Sequence, residues 1–174
     1  MRTVLVEPPE ELRSWLERRR ALGQDLYDEV WEGEYHVAPA PHPGHGDVDH
    51  QLVRLLGPLA DAAGLRGSGP MNIGEADDYR VPDAAYSRQR PTTTFVPSVA
   101  LAVEIASPRD ETWDKLAFYF DRGIEELLIV DLAGREVQWL VRGPTAFEPT
   151  AASRLLDITA ADLAAALDWP PQAE

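Results

Sequence analysis

The hydrophobic and polar positions are most regular from Val99 to Asp131, VALAVEIASPRDETWDKLAFYFDRGIEELLIVD. Val99 to Ile105 is an almost continuous apolar run with the β-branched content of a buried strand. Ser107-Pro108 stops it, and Trp113, Leu116, Ala117 and Phe120 then recur at helical spacing, with Gly123 placed to end the helix. Ile124 to Val130 returns as a second strand, so the unit reads strand, helix, strand. Upstream, Leu12, Trp15, Leu16 and Leu22 predict a helix from Glu10 to Leu22, closed by Gly23. Leu26 to Ala38 alternates around Glu32-Gly33 and predicts a β-hairpin. Leu52, Leu55, Leu56 and Leu59 predict a helix from about Asp47 to Ala63, kinked at Gly57-Pro58 and ended by Gly64. Tyr79 to Arg88 reads as one short strand with Pro82 at an edge or bulge, and Gln89 to Pro97 as a loop. Arg135 to Val141 is placed to pair with Ile124 to Val130, and Thr159 to Trp169 predicts a short helix with Thr159 as N-cap and Asp162 at N3. No repeat or linker divides residues 1–174, which read as a single α/β domain.

Composition narrows the chemistry. With no cysteine, disulfides and thiolate metal sites are excluded. No apolar run approaches the roughly eighteen residues of a membrane span, and the N-terminus lacks a signal-peptide core, so the expectation is a cytoplasmic protein with no membrane contact. A net charge of −14 argues against a broad nucleic-acid-binding surface, so such a partner would need a local basic patch or bound cations. The basic cluster Arg18-Arg19-Arg20 reads as a solvated helix face. The glycines of LRGSGPMNIGE lack the Gly-Lys-Ser/Thr of a phosphate loop. His42, His45 and His50 match no zinc spacing and read as polar loop residues or helix caps.

Three residues stand out against this background. Glu104 places a carboxylate inside an apolar strand, where it must either reach the strand's exposed end or find a cation. Asp83 follows Pro82 on the neighbouring segment, as a site residue or a turn-former. Fifteen of the sixteen basic residues are Arg, and the one Lys is Lys115, on the helix after Glu104. That bias either reflects a GC-rich genome or keeps a group whose proton can be moved. A divalent ion such as Mg²⁺ takes one or two carboxylates plus carbonyl, water and phosphate oxygens. Asp83, Glu104 and the main-chain carbonyl of Ile105 could supply those donors, with Lys115 orienting or deprotonating an attacking water in phosphodiester hydrolysis.

The order RVPDAA, VALAVEIASP, ETWDKLAFYFDRGIEELLIVD, together with the hairpin DEVWEGEYHVAPAP and the position of His45, resembles the Uma-two family of endonucleases, a branch of the PD-(D/E)XK restriction-endonuclease-like superfamily. The resemblance spans about residues 26–140. It implies a mixed, mainly antiparallel β-sheet core flanked by helices, Mg²⁺ or Mn²⁺ held by Asp83 and Glu104, and a DNA substrate. The position two after Glu104 is Ala106 where the superfamily motif has Lys, and Lys115 matches a lysine moved to the following helix. Glu29 fits an accessory acid. The hairpin carrying Trp139 and the apolar C-terminal helix suggest exposed apolar surface and hence a homodimer. A non-catalytic interaction module that keeps the fold is the alternative, favoured by the acidic balance and disfavoured by the intact Asp83, Glu104, Lys115 set.

Overall fold

The computed structural model describes residues 3–6, 8–107 and 111–171. Two six-stranded sheets carry the chain. The first contains β1 (Thr3–Leu5), β2 (Glu29–Trp31), β3 (Glu34–Val37), β5 (Asn72–Glu75), β6 (Asp78–Arg80) and β8 (Phe95–Val96), in the order β1-β3-β2-β6-β5-β8. The second contains β4 (Arg66–Ser68), β7 (Ala84–Ser87), β9 (Leu101–Ala106), β10 (Glu126–Asp131), β11 (Glu136–Arg142) and β12 (Phe147–Thr150), in the order β12-β11-β10-β9-β7-β4. The helices are α1 (Glu10–Ala21), α2 (Pro43–Ala62), α3 (Leu116–Asp121) and α4 (Ala160–Ala166), and a 3-10 turn over Thr112–Lys115 leads into α3. Among the described residues, no helix is long and apolar enough to cross a membrane.

The central unit holds. β9 and β10 run parallel with Glu104 opposite Ile129, and β11 returns antiparallel to β10 with Trp139 opposite Leu128. A parallel pair needs a crossover, which the 3-10 turn and α3 supply. The pleat sorts β9 by parity. Leu101, Val103 and Ile105 pack with Leu52 and Leu56 of α2 and Leu163 of α4, whereas Ala102 and Ala106 face the layer containing Tyr119. Glu104 shares the parity of the second set, so its side chain leaves the sheet toward α3. The hairpin around Glu32-Gly33 also forms, with positive φ at both residues (50° and 87°), the two-residue turn whose twist matches the strands.

Four expectations are corrected. Residues 79–88 are two strands in different sheets, because Pro82 has no N–H to donate and the chain crosses from β6 to β7 at Val81-Pro82-Asp83. The helix after Glu104 buries Thr112, Lys115 and Tyr119, while Trp113 is 47 % exposed and Ala117 is exposed. The buried ion contacts of Lys115 select that face over the apolar stripe. α2 begins at Pro43, and Pro58 lies within its last turns, where packing of Leu52, Leu56 and Ala60 offsets the lost hydrogen bond. Trp139 is buried and donates Nε1–H to Glu126 (2.6 Å), and Leu163 is buried too, so the apolar surface suggested for a homodimer lies inside the chain. The strand stop at Pro108 falls outside the described residues.

Glu126 is 2 % exposed and accepts from Trp139 Nε1, Ser153 Oγ and the Arg154 N–H, each at 2.6 Å. It stitches the α4 approach to β10. Glu126→Ala leaves three donors unpaired in a dry site and should cost on the order of 3 kcal/mol. Urea unfolding should show a lower midpoint with an unchanged slope; an unchanged midpoint would mean that water replaces the carboxylate.

Candidate nuclease centre

Glu104 has its cation. Lys115 Nζ lies 2.9 and 3.1 Å from the two oxygens of Glu104 and 2.9 Å from Oε1 of Glu29. Tyr119 donates its hydroxyl to Glu104 at 2.5 Å. Lys115 and Tyr119 are four residues apart, so one helical face presents both to the strand. Glu29, at the start of β2, is fully buried and is fixed twice more, by the Val81 N–H at 2.8 Å and by Trp31 Nε1–H at 2.7 Å. The centre thus joins β2 of one sheet, β9 of the other and the turn before α3.

Asp83 stands at the crossing between the sheets. Its N–H donates to the Val103 carbonyl at 3.0 Å, and its Oδ2 accepts the Ile105 N–H at 2.7 Å. Because N–H and C=O of one strand residue emerge on the same edge, the Ile105 carbonyl opens toward Asp83 as well. Oδ1 of Asp83 meets His45 Nε2 at 3.2 Å, from the first turn of α2. Asp83 and His45 are 14 and 15 % exposed on their side chains, against 3 % or less for Lys115 and Glu29, so solvent reaches the centre on the Asp83 side.

Charge in this cluster is unbalanced. Two carboxylates, Glu29 and Glu104, share one ammonium, and a third, Asp83, lies near enough to act on Glu104 and meets His45. Burial pushes the Glu104 carboxyl up to about 7; Lys115 and the Tyr119 hydrogen bond oppose this, while Asp83 and Glu29 add to it. Tyr119 is held well above its ordinary value by burial and by the charge of Glu104. Asp49, one turn beyond His45, is raised by burial and then by Asp83. Among the described residues no group of three or more His, Asp or Glu forms a metal cage.

All four predicted side chains converge: Glu29, Glu104 and Lys115 in direct contact, and Asp83 near enough for its charge to act on Glu104. Residue spacing leaves two partners undetected. Tyr119 could be found from its i+4 relation to Lys115, but the contact between His45 and Asp83 joins segments with no local signal. His42 does cap α2, accepting the Gly44 N–H at Nδ1.

The Uma2 (Uma-two) family model, described as "Putative restriction endonuclease", matches residues 9–168. The chain belongs to the Uma2 family. A crystal structure described as a putative nuclease belonging to DUF820, from Anabaena variabilis ATCC 29413, is similar with a TM-score of 0.64 at 15 % identity, over 80 % of this chain and 90 % of that one. At that identity the likeness establishes the fold, which is restriction-endonuclease-like. No curated protein matches the chain. Within the Uma2 match lie all the residues of the centre, from Glu29 to Tyr119.

The raised Glu104 pKa gives a signed test. The native state binds this proton more tightly than the unfolded chain, so the Glu104 contribution is full at acid pH and is lost as pH rises from about 4.5 to about 7. The stability difference between wild type and Glu104→Gln, both metal-free, should therefore fall across that window and then level. Melts over the same range that gave a flat or rising difference would refute the assignment.

Proposed function

We propose that the chain is a metal-dependent nuclease that hydrolyses DNA phosphodiester bonds at Asp83, Glu104 and Lys115. The observation that carries this is the charge deficit: Glu29 and Glu104 share one ammonium, and Asp83, paired with His45, adds a third carboxylate on the side open to solvent. A dication would offset that deficit. Asp83, Glu104 and the Ile105 carbonyl are the groups that would hold Mg²⁺ or Mn²⁺, a set within what such ions take when waters and phosphate complete the shell. When bound, the ion polarises a phosphodiester and makes water a stronger nucleophile.

The chain's own residues do the rest. The Ile105 N–H and His45 fix the two oxygens of Asp83, so its carboxylate is oriented before any ligand arrives. Tyr119 does the same for Glu104. Lys115 keeps a proton at Nζ between Glu29 and Glu104, where it can orient water and stabilise charge that develops on the phosphate. Glu29 is the accessory acid that positions Lys115. The rival reading, an interaction module on the same fold, rests on the net charge of −14 and on the saturation of Lys115 by two carboxylates.

Asp83→Asn separates the two, since Asn can still accept from the Ile105 N–H. Supercoiled and single-stranded DNA should be nicked by wild type in Mg²⁺ or Mn²⁺, and the variant should lose about a hundredfold or more. Wild type should also gain melting temperature with the metal, a gain the variant loses. No cleavage and no metal-dependent shift in wild type would favour the interaction module. A homodimer belongs to the same proposal and would use the exposed Trp15, Leu22 and Leu26 near α1 instead of Trp139. Light scattering should give twice the chain mass, and a monomer at tens of micromolar would remove it.

A further inference from the structure

α1 has two faces. Leu16 is buried and packs with Val30, Tyr35, Tyr79 and Val81, and Leu12 and Arg19 flank it half-buried. On the far side Glu11, Trp15, Arg18 and Leu22 recur at intervals of four, three and four residues, which sets them in one narrow exposed stripe. Trp15 is 44 % exposed and Leu22 63 %. Five of the seven large apolar side chains exposed among the described residues, Val4, Val6, Trp15, Leu22 and Leu26, lie at or before residue 26. Arg19 covers one face of the Trp15 ring at 5.0 Å, and the indole keeps its exposure all the same. Glu11 and Arg18 stand on either side of Trp15 along the stripe. Among the described residues neither is in an ion pair, while the neighbouring Arg19 and Arg20 are engaged by Asp28 and Asp25.

Turned end for end about a two-fold axis between Ser14 and Trp15, this stripe is its own complement. Glu11 then stands opposite Arg18 of the second copy, and Arg18 opposite its Glu11, with the two pairs about 10 Å apart along the helix and the Trp15 rings between them. We propose that α1 packs antiparallel on α1 of a second copy of this chain, with Trp15 at the middle and a Glu11–Arg18 pair at each end. A parallel arrangement would set Glu11 against Glu11 and Arg18 against Arg18. It would also align the acidic first turns, Glu10 and Glu11, with each other and the basic last turns likewise, whereas the antiparallel one matches opposite charges and opposite dipole ends. Burial of the indoles and of Leu22 supplies the affinity; exposed ion pairs add little to it and instead fix direction and register. The pairing runs Leu22 and Leu26 of one copy toward the start of the other, where Val4 and Val6 are exposed. Arg19 ties α1 at 2.8 Å to Asp28, the residue before Glu29, so the contact fixes the two centres relative to each other. The inference rests on the homodimer proposed above and names its contact.

Light scattering at tens of micromolar and about 50 mM salt, where screening is weak, is run on wild type, Glu11→Arg, Arg18→Glu and an equimolar mixture of the two variants. Wild type should give twice the chain mass. Each variant alone opposes like charges at both ends, so its dissociation constant should rise about tenfold or more and the mass should fall to that of a monomer. In the mixture one copy brings two arginines and the other two glutamates, so the heterodimer regains both pairs and the mass should return to twice the chain. Loss of fold cannot produce that rescue. Trp15→Ser is the control: it should be monomeric alone and stay so when mixed with either variant. A monomeric wild type overturns the proposal together with the homodimer. A dimeric wild type that ignores both reversals, or a mixture that stays monomeric, overturns the α1 pairing and leaves a homodimer through another face. Neither result touches the nuclease reading, which the Asp83→Asn comparison decides.

Discussion

The contact on which the structure depends is the buried ammonium of Lys115 between Glu104 and Glu29. Each partner comes from a different layer: β9 of the second sheet, β2 of the first, and the turn that opens α3. A charge this deep is tolerated only when paired and hydrogen-bonded, and here the pairing is what brings the layers to one point. It also dictates local structure. The helix after β9 turns Lys115, Thr112 and Tyr119 inward and leaves Trp113 outside, against the preference of its apolar stripe. Leaving an indole half-exposed forgoes a few kcal/mol at most, whereas two buried carboxylates without a cation would cost more.

The second constraint is the crossing at Val81-Pro82-Asp83. Proline ends β6 without leaving an unmet donor, Val81 ties the crossing to Glu29 through its N–H, and Asp83 ties it to β9 through both its backbone and its carboxylate. The acid that faces solvent is therefore held by a rigid seam between sheets. A site carried on such elements keeps its geometry better than one on a free loop.

Much of this was legible in the chain. The strand-helix-strand unit, the Glu32-Gly33 turn, the Thr159 cap and the set Asp83, Glu104, Lys115 follow from period, turn chemistry and the misfit of a carboxylate in an apolar run. What could not be read were relations between distant segments. Short strands such as β1, β8 and β12 have too few residues to show a period, and the division into two sheets is decided by which strands pair at long range. Trp139 read as surface because nothing near it in sequence announces Glu126 as the acceptor that lets it be buried. His45 read as a loop residue or cap because its partner lies thirty-eight residues away.

The same ion cluster limits what a lysine variant can reveal. Removing the Lys115 ammonium leaves Glu29 and Glu104 facing each other in a dry site, and breaking one side of a buried pair destabilises by roughly 3–5 kcal/mol. Lost activity in Lys115→Ala would then report lost structure as readily as lost chemistry. Neutralising the partner that does not face the proposed metal removes the ambiguity: Glu29→Gln keeps the acceptor for the Val81 N–H and takes away one buried charge. In the Glu29→Gln background, Lys115→Met leaves only Glu104, whose raised pKa lets it take up a proton near neutrality. The double variant should recover most of the stability that Lys115→Met alone loses. If activity stays absent while the melt recovers, the ammonium acts in the chemistry; if both return together, Lys115 holds the sheets and nothing more.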